Sequence, residues 1–174
     1  MLSKLVLTIS FSLCFLCACV HNEEYVSQYL QSRRTTNWFN YVGKTYYVDT
    51  VFKTNYYKAM HYCRQQGMQL LTITSEAENK KIEEYLKEKG LNGNRYWTAA
   101  TNLGDRPDRW VWSSTGHLIT YFKWDAGEPN NTDSENCIEG AWFTTNGFTW
   151  NDVTCLRSNH FICEATTDCY NLKC

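Results

Sequence analysis

Glu128-Pro129-Asn130, Glu135 and Trp150-Asn151-Asp152 offer three carboxylates and two side-chain amide oxygens, with no thiolate or imidazole among them. Hard oxygen donors in that number suit Ca2+, which takes about six to eight oxygens in a forgiving geometry. Zinc would draw on His or Cys. Magnesium wants a tighter octahedron and usually a phosphate. The set therefore points to one calcium ion held by Glu128, Asn130, Glu135, Asn151 and Asp152. Taken singly, the same acidic stretch also reads as a solvated loop. Asn130-Asn131-Thr132 is in addition an N-glycosylation sequon, and a glycan there would destroy a ligand. The second cluster at Asn151-Asp152 favours ligation.

Positioning such a set takes a scaffold, and the chain supplies one of α+β type. The aromatic and β-branched run at residues 39–48 favours strand. Asn55 is a good N-cap for a helix to about residue 66, with Tyr56, Ala59, Met60 and Cys63 as its buried stripe and Gly67 as its stop. Residues 70–74 read as a short buried strand. Ser75-Glu76-Ala77-Glu78 then forms a capping box for a second helix, with Ile82, Tyr85 and Leu86 on its apolar face and Gly90 at its end. Beyond Gly90 come short strand candidates at 96–97, 110–112, 119–124, 137–143, 148–150 and 160–163. Turn-rich loops separate them. The long loop at 125–136 carries the first ligand cluster, and loops of that size are usually functional.

The ends of the chain set the compartment. Met1 to Lys4 and the apolar run up to Val20 read as an export signal, too short for a bilayer span, which needs about 20 apolar residues. Cys14, Cys17 and Cys19 lie in or beside that signal. Of the nine cysteines, Cys63, Cys137, Cys155, Cys163, Cys169 and Cys174 remain, an even set with no C-x-x-C pair, which reads as disulfides in an oxidising compartment. The net charge of −1 and the absence of a long basic run exclude the dense positive field that nucleic acid requires. No G-x-S-x-G or H-E-x-x-H motif is present and no cysteine is left as an evident nucleophile, so an enzyme is not expected.

Over residues 38–164 the chain resembles the C-type lectin family. Glu128-Pro129-Asn130 looks like that family's sugar-specificity triplet, and Trp150-Asn151-Asp152 like its second calcium motif. Glu135, two residues before Cys137, stands where the family keeps a further ligand carboxylate. The resemblance implies Cys63–Cys163 and Cys137–Cys155 disulfides, a cis bond at Pro129, and a C-type lectin-like fold. It also implies that the five calcium ligands bind sugar, coordinating two neighbouring hydroxyls on the ion. The Glu-Pro-Asn order implies mannose-type sugars. Two departures stand out. Of the tryptophan-isoleucine-glycine-leucine signature only Trp97 matches, in Trp97-Thr98-Ala99-Ala100. Amides at Asn102, Asn131 and Asn136 replace the carboxylates of the auxiliary calcium site, so one strong site is expected.

The resulting division is a signal peptide at 1–19, a lead-in at 20–37, a carbohydrate-recognition domain at 38–166 and a tail at 167–174 holding Cys169 and Cys174, for which a local bridge is expected. The expected protein is a secreted, extracellular lectin with no membrane span after signal removal. Its partners would be glycans on microbial or host surfaces, as in innate immunity, with an oligomer left open. The alternatives are a galactose-preferring lectin, or a module of the same fold that binds protein without sugar.

Overall fold

The computed structural model describes residues 37–166, apart from Asp105 and Asp133. The signal, most of the lead-in and the cysteine tail, with the Cys169–Cys174 bridge, lie outside the described residues. The aromatic run that opens the domain is a hairpin rather than one strand. β1 (Trp38–Tyr41) and β2 (Lys44–Val48) pair antiparallel around Val42 and Gly43, whose φ angles are 41° and 70°. Two consecutive left-handed residues make the tight turn whose twist matches a strand pair.

Both helices form where their caps place them. In α1 (Tyr56–Gln65) the Asn55 side chain accepts from the Lys58 N–H at 3.0 Å, and Tyr56, Ala59 and Cys63 are buried. Met60, expected on that stripe, is only partly buried. In α2 (Glu76–Glu88) Ser75 accepts from the Glu78 N–H, and Ile82, Tyr85 and Leu86 face the core. The return half of the capping box does not form. Glu78 Oε2 reaches one residue further back, accepting from the Thr74 N–H at 2.8 Å, while Oε1 turns inward to Lys44 Nζ at 2.8 Å and Tyr46 Oη at 2.6 Å.

The other strands are β3 (Gln69–Leu70), β4 (Tyr96–Thr101), β5 (Val111–Trp112), β6 (Cys137–Ala141), β7 (Thr149–Val153) and β8 (His160–Thr166). They join one sheet in the order β1-β2-β8-β4-β6-β7, with β3 against β8 and β5 against β4. Among the described strands only the β4–β8 pair is parallel. Two expected strands fail. At 70–74 the ladder stops after Leu70, because the Leu71 N–H donates to Ile162 O while its carbonyl accepts from the Ala99 N–H. The N–H bond still follows the β3–β8 register, and it is the carbonyl's turn to β4 that ends the ladder, although Leu71 and Ile73 stay buried. At 119–124 the chain makes only isolated bridges at its flanks, Leu118 to Val111 and Trp124 to Trp150. Its aromatics pack on Trp150 instead, with Tyr121, Phe122 and Trp124 ring centroids 5.5, 6.2 and 6.4 Å away.

The core is built on the fully buried Trp97, Trp150, Tyr46, Tyr96, Phe148 and Phe161. Cys63–Cys163 ties α1 to β8 and Cys137–Cys155 ties β6 to the turn after β7, the pairs the resemblance implies. The first closes a loop of 100 residues, a constraint on the unfolded chain of up to ~4.7 kcal/mol in the chain-entropy model. Gly140 is where β6 lets Phe148 cross it. A Cβ there would lie 2.3 Å from the ring.

Candidate calcium and sugar site

The long loop after β5 is moored to β7 before it reaches the ligand triplet. The Trp150 N–H donates to Lys123 O at 2.7 Å and the Asp125 N–H to Trp150 O at 2.9 Å. The Asp125 carboxylate accepts from the Thr144 and Thr149 hydroxyls. The Glu128-Pro129 peptide is cis. Asp152 on β7, fully buried, then accepts from the N–H groups of Asn130 and Asn131 at 3.1 and 2.9 Å. Loop triplet and strand are thus joined by backbone donors on one carboxylate, with Asn130 N–H also on Glu128 Oε2 at 3.0 Å.

Whether these residues fit a cation can be judged from their own partners. Two buried oxygens, Glu135 Oε2 and Asn151 Oδ1, meet no donor. An unsatisfied buried acceptor costs about 1–3 kcal/mol, which a bound cation would offset. The Asn151 amide is aimed: its Nδ2 donates to Glu139 Oε1 at 3.3 Å, which turns Oδ1 the other way. The carboxylates also crowd one another. Burial, then the hydrogen bond with Asp152, and also the charges of Asp152 and Glu135 push Glu128 above the usual carboxylate range. Burial and then the Asp152 charge do the same to Glu135. Repelling acids beside orphaned oxygens are what a divalent cation relieves. Among the described residues no three His, Cys, Asp or Glu groups gather as a metal cluster by themselves. The three carboxylates do not make a metal site on their own, and a calcium ion here would have to draw on the amide oxygens as well.

Asn130 is the exception. It is exposed, and its Oδ1 accepts from the Thr132 N–H at 3.0 Å and from the Thr132 hydroxyl. Its amide would have to turn to join the others. Of the side-chain amides at the auxiliary positions, Asn102 Nδ2 donates to Pro107 O and Asn131 Nδ2 to Pro129 O, while the buried Asn102 Oδ1 meets no donor; Asn136 is held through its backbone carbonyl, which accepts from Thr101 Oγ1.

The residue that sequence reading missed is Glu139. It is fully buried, and its Oε1 accepts from Arg95, Arg157 and Asn151 while Oε2 accepts from Asn159 at 2.7 Å. Cross-strand register places it directly opposite Asn151. Its signal was a charged residue inside the otherwise uncharged run Cys137-Ile138-Glu139-Gly140-Ala141.

Residues 52–165 match the Lectin C-type domain family, and the chain belongs to that family. C-type lectin 37Db of Drosophila melanogaster is 33% identical over 137 residues, covering 78% of this chain and 87% of its own. The C-type lectin domain of murine dendritic cell inhibitory receptor 2, solved in complex with an N-glycan, aligns with a TM-score of 0.64 at 26% identity. It covers 75% of this chain and 96% of that one. A calcium-independent type II antifreeze protein shares the fold at a TM-score of 0.63 and 20% identity, over 75% and 92% of the two chains. The chain is a C-type lectin-family domain and not an enzyme. Among the described residues no helix is long and apolar enough to cross a membrane.

Proposed function

We propose that the protein is a secreted, calcium-dependent lectin that binds mannose-type sugars on microbial or host surfaces, in keeping with a role in innate immunity. The observation that carries this reading is the pair of donorless buried oxygens, Glu135 Oε2 and Asn151 Oδ1, beside mutually repelling carboxylates. Glu128, Asn130, Glu135, Asn151 and Asp152 would hold the ion. Bound there, Ca2+ would offer open coordination positions to two neighbouring sugar hydroxyls. The carboxylates accept from those hydroxyls and the amide N–H groups donate to them, so each hydroxyl meets both kinds of partner. One site holds a monosaccharide weakly, and useful avidity would come from several copies displayed together.

The protein is expected to stay on mannose–agarose in calcium and to leave it with EDTA. Flow-through on mannose, galactose and fucose resins alike would defeat this reading. Within it, Glu128→Gln combined with Asn130→Asp should shift preference toward galactose, measured by competition with the free monosaccharides. An unchanged mannose preference would remove the triplet from its assigned role. A second reading, a module that binds protein without sugar, draws on the Asn130 oxygen already held by Thr132. Partner binding that persists in EDTA and in Asn151→Ala would favour it.

A further inference from the structure

Two arginines converge on Glu139 where one would neutralise it. Arg95 and Arg157 each bring Nη1 to Glu139 Oε1, Arg157 at 3.3 Å. Glu139 is fully buried, whereas each arginine side chain is 43% exposed. One buried negative charge against two guanidinium groups leaves a surplus positive charge that faces solvent. Holding like charges together is unfavourable by Coulomb's law, and the Glu135 charge, which also acts on Arg157, offsets part of that repulsion. Arg95 is held further by the Phe143 ring, 4.8 Å from its guanidinium carbon to the centroid. This cation–π contact gives the group a fixed plane.

The pair stands next to the diol site. Glu139 Oε1 is also the atom that holds Asn151 Nδ2, so two hydrogen bonds of 3.3 Å each separate Arg157 from a calcium-ligand amide. Arg157 also acts on the Glu135 carboxylate through its charge. A substituent on a sugar seated at Asn151 could span that gap without a second sugar residue. We propose that Arg95 and Arg157 form a subsite for an anionic substituent, a carboxylate or sulfate, on the sugar bound at the calcium site. The inference rests on the calcium–diol reading above. Planar guanidinium forks match the paired oxygens of both anions. The acids Glu128, Glu135 and Asp152 of the calcium site repel an anion, so an acidic sugar is steered with its anion toward the arginines and requires the divalent ion to offset the acids. A phosphate polyanion is a poor fit, because the net charge of −1 offers no extended basic field.

The test uses methyl mannoside, its 6-sulfate and the corresponding methyl mannuronoside, all with free 3- and 4-hydroxyls, titrated at saturating calcium. At low salt at least one acidic ligand should bind about tenfold tighter than the neutral one, or roughly 1.4 kcal/mol. That advantage should shrink as salt rises. Comparison of the two acids tells which anion is preferred. Arg157→Gln should erase most of the advantage while neutral mannoside binds within about twofold of wild type, Arg95 still covering Glu139. If Arg157→Gln does not fold, the salt dependence of the wild-type preference decides on its own. Acidic sugars binding no better than the neutral one would overturn the subsite and leave the lectin reading standing. No binding of any of the three would remove both.

Discussion

Lys44→Met is expected to lower the free energy of unfolding by roughly 3–5 kcal/mol, toward the low end because the ammonium is about 20% exposed. Lys44 Nζ sits 2.8 Å from Glu78 Oε1 and 3.2 Å from Glu164 Oε2, and it also donates to Thr72 Oγ1. The two acids are 5% and 1% exposed. Removing the one cation leaves both buried carboxylates without a countercharge. Tyr46, Thr74, Thr72 and Gln69 would still donate to them, which is why the loss is not larger. Urea unfolding at neutral pH measures it, and a loss under about 1 kcal/mol would mean that water replaces the ammonium.

The same cluster gives the pH dependence of that difference. Burial opposes the Lys44 charge, but the Glu164 charge and the Glu78 hydrogen bond outweigh it and raise the ammonium above its ordinary 10.5. Its contribution is complete below pH 10.5 and is lost as pH rises through the higher folded value. The gap between wild type and Lys44→Met should therefore close on the alkaline side. On the acid side the two carboxylates oppose each other. Burial works to raise Glu78, but its bonds to Lys44 and Thr74 win and hold it low, so its stabilisation is present above 4.5 and fades as pH falls through the folded value. Burial pushes Glu164 up despite Lys44, so its ionised form costs stability and acid relieves that cost.

This cluster also shows where sequence reading stops. The helix caps Asn55 and Ser75, the apolar faces and the two long-range disulfides were legible, because each depends on local spacing or on a shared family pattern. Glu78 was read as half of a capping box, a local role. It keeps a local bond to Thr74, but its other partners, Lys44 and Tyr46, are 34 and 32 residues away. The strand expected at 119–124 failed for a related reason. Its aromatics Tyr121, Phe122 and Trp124 pack on Trp150, a contact 26 or more residues away in sequence that local alternation does not reveal. At the site, the ligand types were visible as motifs. What aims them was not, since Glu139 meets Asn151 only through β6–β7 register and Asn159 and Arg157 only through the fold.

Glu139→Gln should weaken calcium binding about ten- to a hundredfold, the range found when a partner orienting a metal ligand is removed. Every group on Glu139 is a donor: Arg95, Arg157 and Asn151 on Oε1, Asn159 on Oε2. A carboxylate accepts at both oxygens, whereas a glutamine must present its own NH2 to one side. Asn159 holds its end at 2.7 Å against 3.3 Å for Asn151, so the loss falls on Asn151 if the amide oxygen stays with Asn159. If it faces the arginines instead, Asn159 loses its acceptor and the pocket around Asn151 shifts. Either way the Asn151 amide is no longer pinned with its oxygen turned away from Glu139, and turning it would put N–H groups where the ion needs a lone pair. The measurement is a calcium titration of the folded variant well below its melting point, alongside melting of the calcium-free form. A lower melting point with unchanged calcium affinity would assign Glu139 to packing alone. Weaker calcium binding, with sugar affinity restored at high calcium, is the outcome that its hydrogen bond to Asn151 requires.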